Sequence, residues 1–566
     1  MGKQSDDRAD KRNSQSIKKI SMKKMIWYIL IWAGCFMIAS CSNEPITVDA
    51  GTPPAEEGIS QSYPIYSNPC GLWKDYVSSQ STGEESTLLD FSYAGYEFGE
   101  LAVPDVDYPI FNVLDYGAIP NDGLSDRQAF VEAIEAVEAC GGKAVIYFPK
   151  GRYDLRPKEA ENASIVIDAD NVVLRGEGAG EGGTELFMEY PNQALDETLW
   201  NTPELLTFSY ARSKSDDALL LTEVVGNAAR GSHQLQVSTT SGMHIGQRVL
   251  LKLAANNAPE LVTEEVAPYE VHPEWTELPN VGVQVTEYHQ VVRIEGNLIT
   301  FKEPIMHKVD ARWGWTIHRH QHRVGCGVED IAFVGNFEED FEHHKNALHD
   351  SGYRMLTFHR QVNGWIRRCR FTNVSEAASI MLSANVSVYE CLLSGRQGHS
   401  AIRAQASSRI FMGKIKDEPA QYHSVGVSKT AIGNVLWRNH TAANSCFEAH
   451  SSQPRATLID ACVGGFLPNH AGGDAALGPN HLGDLVLWNY TATGGSGEFN
   501  LWERNNRFLM PIIAGFRGNV TFRPEQVTAD EKHGSVVEPF SLYEAQLINR
   551  LGALPQWLND LKNKRE

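Results

Sequence analysis

The sequence predicts an all-β solenoid, a coil of short parallel strands stacked along one axis, and three observations carry that prediction. Four segments of the C-terminal half, ASIML (378–382), HSAIR (399–403), HSVGV (423–427) and NSCFE (444–448), place a serine at 379, 400, 424 and 445, so a strand-like stretch returns every 21 to 24 residues. A second apolar column places Ile366, Val388, Ile410, Val435 and Leu458 at steps of 22, 22, 25 and 23. No helical periodicity separates the copies, and units that cannot bury an apolar face alone must stack on their neighbours.

The elements follow in chain order. Lys23 and Lys24, a thirteen-residue apolar run at 25–37 and Ile38-Ala39-Ser40-Cys41 have the layout of a secretory signal. Thirteen apolar residues fall short of the roughly 20 that a spanning helix needs. IASC is also similar to a bacterial lipobox. That resemblance implies cleavage before Cys41, a lipid on its sulfur and Met22 or Met25 as the start, hence a lipoprotein anchored to the cell envelope, periplasmic or surface-exposed. Residues 1–40 are then the signal peptide, 41–62 a flexible Pro/Glu/Gly/Ser/Thr tether, and 63–110 an aromatic, turn-rich extension.

From 111 onward the chain reads FNVLDYGA (111–118), NDG (121–123), a helix near Ser125 and a strand VIYFP (145–149), with VVLRG (172–176) one coil later. Ser125 and Gln128 predict a capping box, Phe130, Ala133, Ile134 and Val137 share one helical face, and Gly141-Gly142 stops the helix. FNVLDYGA, NDG, the capped helix and GGKAVIYFPKGRYDL (141–155) resemble the opening of the pectate lyase superfamily. The resemblance implies a right-handed parallel β-helix over 111–535, with a capping helix over its first coil. Asp115, Asp122 and Asp126 are read as turn and cap residues.

Strand-like stretches at about 220–305, with a Gly296-Asn297 hairpin signal, predict a small antiparallel β insertion projecting from the coils. Leu542, Leu547, Leu551 and Trp557 predict a helical cap at 536–566 that shields the last coil.

The formal charge of −20 excludes nucleic acid as a partner of the whole chain. Residues 352–438 nonetheless carry twelve Lys and Arg against four Asp and Glu, a local +8 that suits a bound polyanion. After Cys35 and Cys41, seven cysteines remain, an odd number without metal-finger spacing. Cys369 and Cys391, 22 apart, read as stacked core thiols.

Side chains alternate faces along a strand. With the serines, Met381, Ile402, Gly426 and Phe447 assigned inward, His399, His423 and His470 form one outward column, Arg403, Glu448 and Asp474 a second, and Lys429 and His450 a third. The favoured chemistry is β-elimination on an acidic, uronate-containing or sulfated polysaccharide: Lys429 as base, Arg403 as carboxylate clamp, and His423 or His450 as leaving-group acid.

Lyases of the family use Lys or Arg bases assisted by calcium, so the resemblance suggests Ca2+. No acidic calcium motif is evident, and no metal is assigned. The alternative is hydrolysis by Glu448 and Asp474 at retaining separation, less favoured because the paired-aspartate run of polygalacturonase-like hydrolases is missing. A non-catalytic glycan-binding or adhesive β-helix is the third reading. His399, His470, Arg438 and Trp437 are the candidate substrate-binding residues. Residues 338–350 hold His343, His344 and His349, but adjacent histidines are expected to point apart, which argues against one metal site there.

Overall fold

The computed structural model describes residues 66–210, 219–468, 472–503 and 507–564; the readings at Cys41 and His470 lie outside these residues. Among the described residues, three parallel sheets of twelve, nine and seven strands wrap the coils. The first runs from Ile110–Asn112 to Ala529–Glu531, the second from Gly151–Asp154 to Thr491–Gly494, and the third from Ile165–Ile167 to Glu448–His450. The inner faces meet in one core containing Val172, Ile366, Phe371, Ile380, Val388 and Leu393. Cys369 and Cys391 are buried free thiols in that core.

The cap is present, with a different start. Helix Arg127–Ala139 has Asp126 at its N-cap position, and no capping box forms. Gln128 instead bonds Glu132, while the Asp126 carboxylate accepts from the backbone N–H groups of Ile119 and Asp154, tying loop, helix and next strand together. Asp122 accepts from Leu124 N–H, as a turn aspartate does.

The second apolar column is correct only in part. Ile366 pairs with Val388, then Met412, Leu436 and Ile459 follow; Val435 and Leu458 pair with each other on the opposite side. Strands buried on both faces are apolar at every position, so their parity cannot be read from hydrophobicity. The outer face of the first sheet is a second apolar layer, carrying Val173, Trp365, Phe411, Val435, Trp437 and Trp488.

Three elements cover that layer. The insertion is a six-stranded antiparallel sheet reaching from Leu220–Glu223 to Thr316–Arg319, longer than expected. It lies against the coils rather than projecting from them: Arg409 donates to Glu287 at 2.6 Å, and the Ser408 hydroxyl accepts from Tyr288 N–H. The C-terminal helices Leu542–Leu551 and Gln556–Asn563 pack on the side of the solenoid, with Tyr543 stacked on Phe411 and Trp557 edge-on to it. Helix Gly71–Thr82 and the segment after it complete the cover, where Gln546 bonds the backbone of Leu89 and Phe91.

Candidate functional site

The third sheet is covered differently. Its strands Arg354–His359, Glu376–Met381, Ser400–Gln405, Gly426–Ser428 and Glu448–His450 align Thr357, Ser379, Arg403, Gly426 and Glu448 in one column. His359, Met381, Gln405, Ser428 and His450 form another, two residues on. Leu356, Phe358, Ala378, Ile380, Ile402 and Ala404 fill the core between them, so both columns face outward.

Arg403 and Glu448 thus share a column, as expected, with Gly426 between them. A Cβ at Gly426 would come within 2.4 Å of Glu448 Cβ, so the close approach requires glycine. The serine register, however, is corrected. Ser379 pairs with Arg403, not Ser400, and Met381 and Gly426 face outward. Ser424 and Ser445 serve turns, donating to Asp417 and to the carbonyl of Gln421, so their spacing follows the loops and not the ladder.

Each of these five strands ends in a corner with positive φ: 57° at Arg360, 50° at Leu382, 46° at Ala406, 56° at Lys429 and 54° at Ser451. Backbone bonds stack these corners, Ala406 N–H to Ser428 and Lys429 N–H to Ser451. The ladder therefore fixes Lys429 one residue beyond the Ser428–His450 pair, not opposite His450 as the sequence suggested.

Around Arg403 a polar groove assembles. Glu376 accepts from Arg354 in a tight charge-assisted bond and lies 3.7 Å from Arg403 and 3.9 Å from His399. Because Arg354 holds Glu376 more closely, Arg403 keeps donors in reserve, and its buried Nε has no hydrogen-bond partner among the described residues. The Nδ1 of His423 is 3.1 Å from Glu448 Oε2, and the His423 ring meets the His450 ring edge-on at 4.8 Å. Glu277, from the insertion, and Lys429 act on each other electrostatically across one side.

On the other side stands the loop 338–352. Phe341 stacks on His399, and His343 stacks on Tyr422 at 4.0 Å. His343 and His344 do not point apart: their rings stack at 3.7 Å. The loop turns through a left-handed His344 (φ 59°), which brings successive side chains to one side. His349 is fully buried and braces the loop, accepting from Glu342 N–H and bonding Glu339.

Electrostatics favour the neutral imidazole at His399, His343 and His450. Burial, then the charges of His423 and Arg403, hold His399 well below the ordinary histidine range. Burial pushes His343 to about 4 and His450 to about 3, with Glu448 opposing the latter shift. A histidine at that value does not carry a proton to give, so the acid role expected of His450 does not fit its surroundings. Lys429 keeps solvent access, yet desolvation by the groove walls and the cations Arg403 and Arg354 lower it from the ordinary lysine value. Burial and Glu448 raise Tyr422, which keeps its phenol protonated.

Other sequence candidates lie elsewhere. Trp437 is fully buried in the outer layer of the first sheet, beside Phe411, and is closed to a glycan. Arg438 pairs with Glu544 of the C-terminal helix at 2.7 Å. Among the described residues the last strand of the third sheet is Glu448–His450, and Asp474 is on none of its strands; its carboxylate accepts from Ala476 N–H and caps the short helix Ala475–Leu477. Strand pairing therefore does not set Asp474 beside Glu448.

Sequence reasoning missed Arg354, Glu376 and Tyr422. Arg354 and Glu376 stand 22 residues apart, one coil, which was the available signal. Among the described residues, every group of three or more clustered metal-binding side chains is built on histidine. Calcium takes six to eight oxygen ligands, so these residues do not fit Ca2+.

Comparison with known proteins agrees with this architecture. Residues 110–198 match the family model described as rhamnogalacturonase A/epimerase, pectate lyase-like, and residues 420–561 match a domain of unknown function, DUF4955. With the coil geometry, the first match makes the fold a pectate-lyase-like parallel β-helix.

The chain is 36 % identical over 110 residues to mannuronan C5-epimerase AlgE1 of Azotobacter vinelandii and 29 % identical over 110 residues to AlgE3 of the same organism. Each match spans 19 % of this chain, but only 8 % and 6 % of those proteins. Among solved structures, the Pseudomonas phage phi297 tailspike gp61 is similar at a TM-score of 0.36 and 11 % identity, over 74 % of this chain and 76 % of the tailspike. An exopolygalacturonase from Thermotoga maritima is similar at 0.33 and 11 %, over 77 % and 88 %.

Proposed function

We propose that this chain acts on an acidic, uronate-containing polysaccharide by removing the proton beside the sugar carboxylate. One observation carries the reading: an arginine with buried, unengaged donor capacity, Arg403, shares a groove with Lys429, a lysine held below its ordinary pKa. Arg403 would clamp the carboxylate and stabilise the charge that spreads into it as the proton leaves. Lys429, with a larger neutral fraction than a free lysine, would take the proton on Nζ.

Two outcomes share that first step. In elimination the bond to the leaving glycosidic oxygen breaks, a double bond forms, and a protonated group such as Tyr422 delivers the proton to the leaving oxygen. In epimerisation the proton returns from the opposite face. The name of the A. vinelandii relatives, C5-epimerase, describes a reaction that must break the same carbon–hydrogen bond, and this supports the class of chemistry. Elimination remains the favoured outcome. Hydrolysis is weakened because the Asp474 carboxylate is engaged in a helix cap. The lipid anchor at Cys41 and an envelope location belong to the same proposal.

The test is to incubate the chain with polyuronate and sulfated polysaccharides, following unsaturated-uronate absorbance and reducing ends together. Elimination predicts that both rise. Reducing ends rising without unsaturation would replace the reading with hydrolysis.

A further inference from the structure

We propose that His343, His399 and His423 form a three-histidine site for a divalent transition-metal ion of the zinc class, on the rim of the groove. The three rings stand at 5.4 Å (His343 to His399), 5.4 Å (His343 to His423) and 4.9 Å (His399 to His423) between centroids. An ion about 2.0–2.1 Å from a ring nitrogen lies roughly 3.2 Å from that ring's centroid, so three rings on a tetrahedral ion stand about 5.2 Å apart. The triangle is already that size.

The outer contacts orient the rings for the role. His399 Nδ1 lies 2.9 Å from the backbone oxygen of Asp350, which directs the proton to Nδ1 and leaves Nε2 as a lone pair. That Nε2 is buried without a hydrogen-bond partner among the described residues, on a side chain 7 % exposed. The Nε2 of His343 is likewise shielded and unpartnered. His423 Nδ1 lies 3.1 Å from Glu448 Oε2, so a carboxylate stands beside the third ring. His343, His399 and His423 each offer a ring nitrogen within 4.8 Å of the other two, and shielded imidazole nitrogens left without partners are costly.

Three neutral nitrogen ligands suit zinc-class ions and leave a fourth position open. The fold places two ligands on adjacent coils and the third on the 338–352 loop, so an ion would pin that loop to the solenoid. The inference does not depend on the reaction proposed above, because it is read by metal binding and not by turnover.

The experiment adds Zn2+ alone, and separately Co2+ alone, to the metal-stripped chain, measuring stoichiometry by calorimetry and coordination from the Co2+ visible spectrum. One equivalent with a tetrahedral Co2+ spectrum is expected, and His399→Ala and His343→Ala should each weaken binding at least tenfold. His343 lies on the loop and outside the strands, so its variant keeps the fold; His440→Ala, at an exposed histidine, should bind as the parent does. No stoichiometric binding overturns the proposal. So does loss on His450→Ala with full retention in His343→Ala, which would move the ion to His423, Glu448 and His450.

Discussion

The outer faces of the first and third sheets are built from the same repeat, yet one is sealed under apolar packing and the other gathers charged and polar side chains. On the first, outward positions carry Trp365, Phe411, Val435, Trp437 and Trp488, and the insertion, the N-terminal extension and the C-terminal helices close over them. On the third, equivalent positions carry Arg403, Glu448 and His450, with the 338–352 loop packed against His399, Tyr422 and His423 alongside. In a parallel β-helix the inward residues hold the coil together, so the outward ones are free to specialise. Here one face serves stability and the other, in the function proposed above, serves a ligand.

The largest effect that separates the two faces is catalytic. Lys429→Ala should lower turnover of a responsive polyuronate by about 10²–10⁴, the usual worth of a general base, with an unchanged thermal transition. Arg403→Ala should lower kcat/KM by about 10²–10³, again in a folded protein. Trp437→Ala should do the reverse. It removes a fully buried side chain and should cost about 3–5 kcal/mol of stability in denaturant titration, while the folded fraction keeps its activity per molecule.

A smaller effect is in pH. Lys429 must be neutral to accept a proton, and its surroundings lower its pKa. Activity should therefore rise with pH through a value below the ordinary lysine range of about 10.4 and level off above it; the Lys429→Ala variant should lose that limb of the kcat/KM profile. The smallest is Asp474→Asn, which keeps the capping geometry and should leave activity within about twofold and stability within about 0.5 kcal/mol. A severe loss of activity there would return Asp474 to the reacting centre.

The opening of the fold was legible because its elements are local. The helix at Arg127–Ala139, its Gly141-Gly142 stop and the strand Ala144–Tyr147 lie in one stretch, and each is signalled by its own residues. The repeat itself was legible, but its register was not. Serines at strand starts track loop lengths, and strands such as Leu485–Trp488 are apolar on both sides, so neither marks which residues pair across coils.

The site followed the same division. Arg403, Glu448, His423 and His450 stand on the outward side, where alternation placed them. Arg438 and Trp437 fell away because alternation cannot tell an outward position in water from one under another element. Asp474 fell away because its carboxylate caps the short helix Ala475–Leu477 instead of standing on a strand. The convergence of His343 on His399 depends on a loop corner with positive φ at His344, which no spacing rule discloses.

The most direct test of the account is exchange of the sugar proton in heavy water. The chain is incubated in D2O with a uronate polymer that it cleaves or modifies, and deuterium at carbon 5 is read by NMR alongside unsaturated product. The account predicts carbon–hydrogen cleavage at that position, as exchange or as unsaturated ends, abolished in Lys429→Ala. Glycosidic cleavage with the carbon-5 proton fully retained would contradict it.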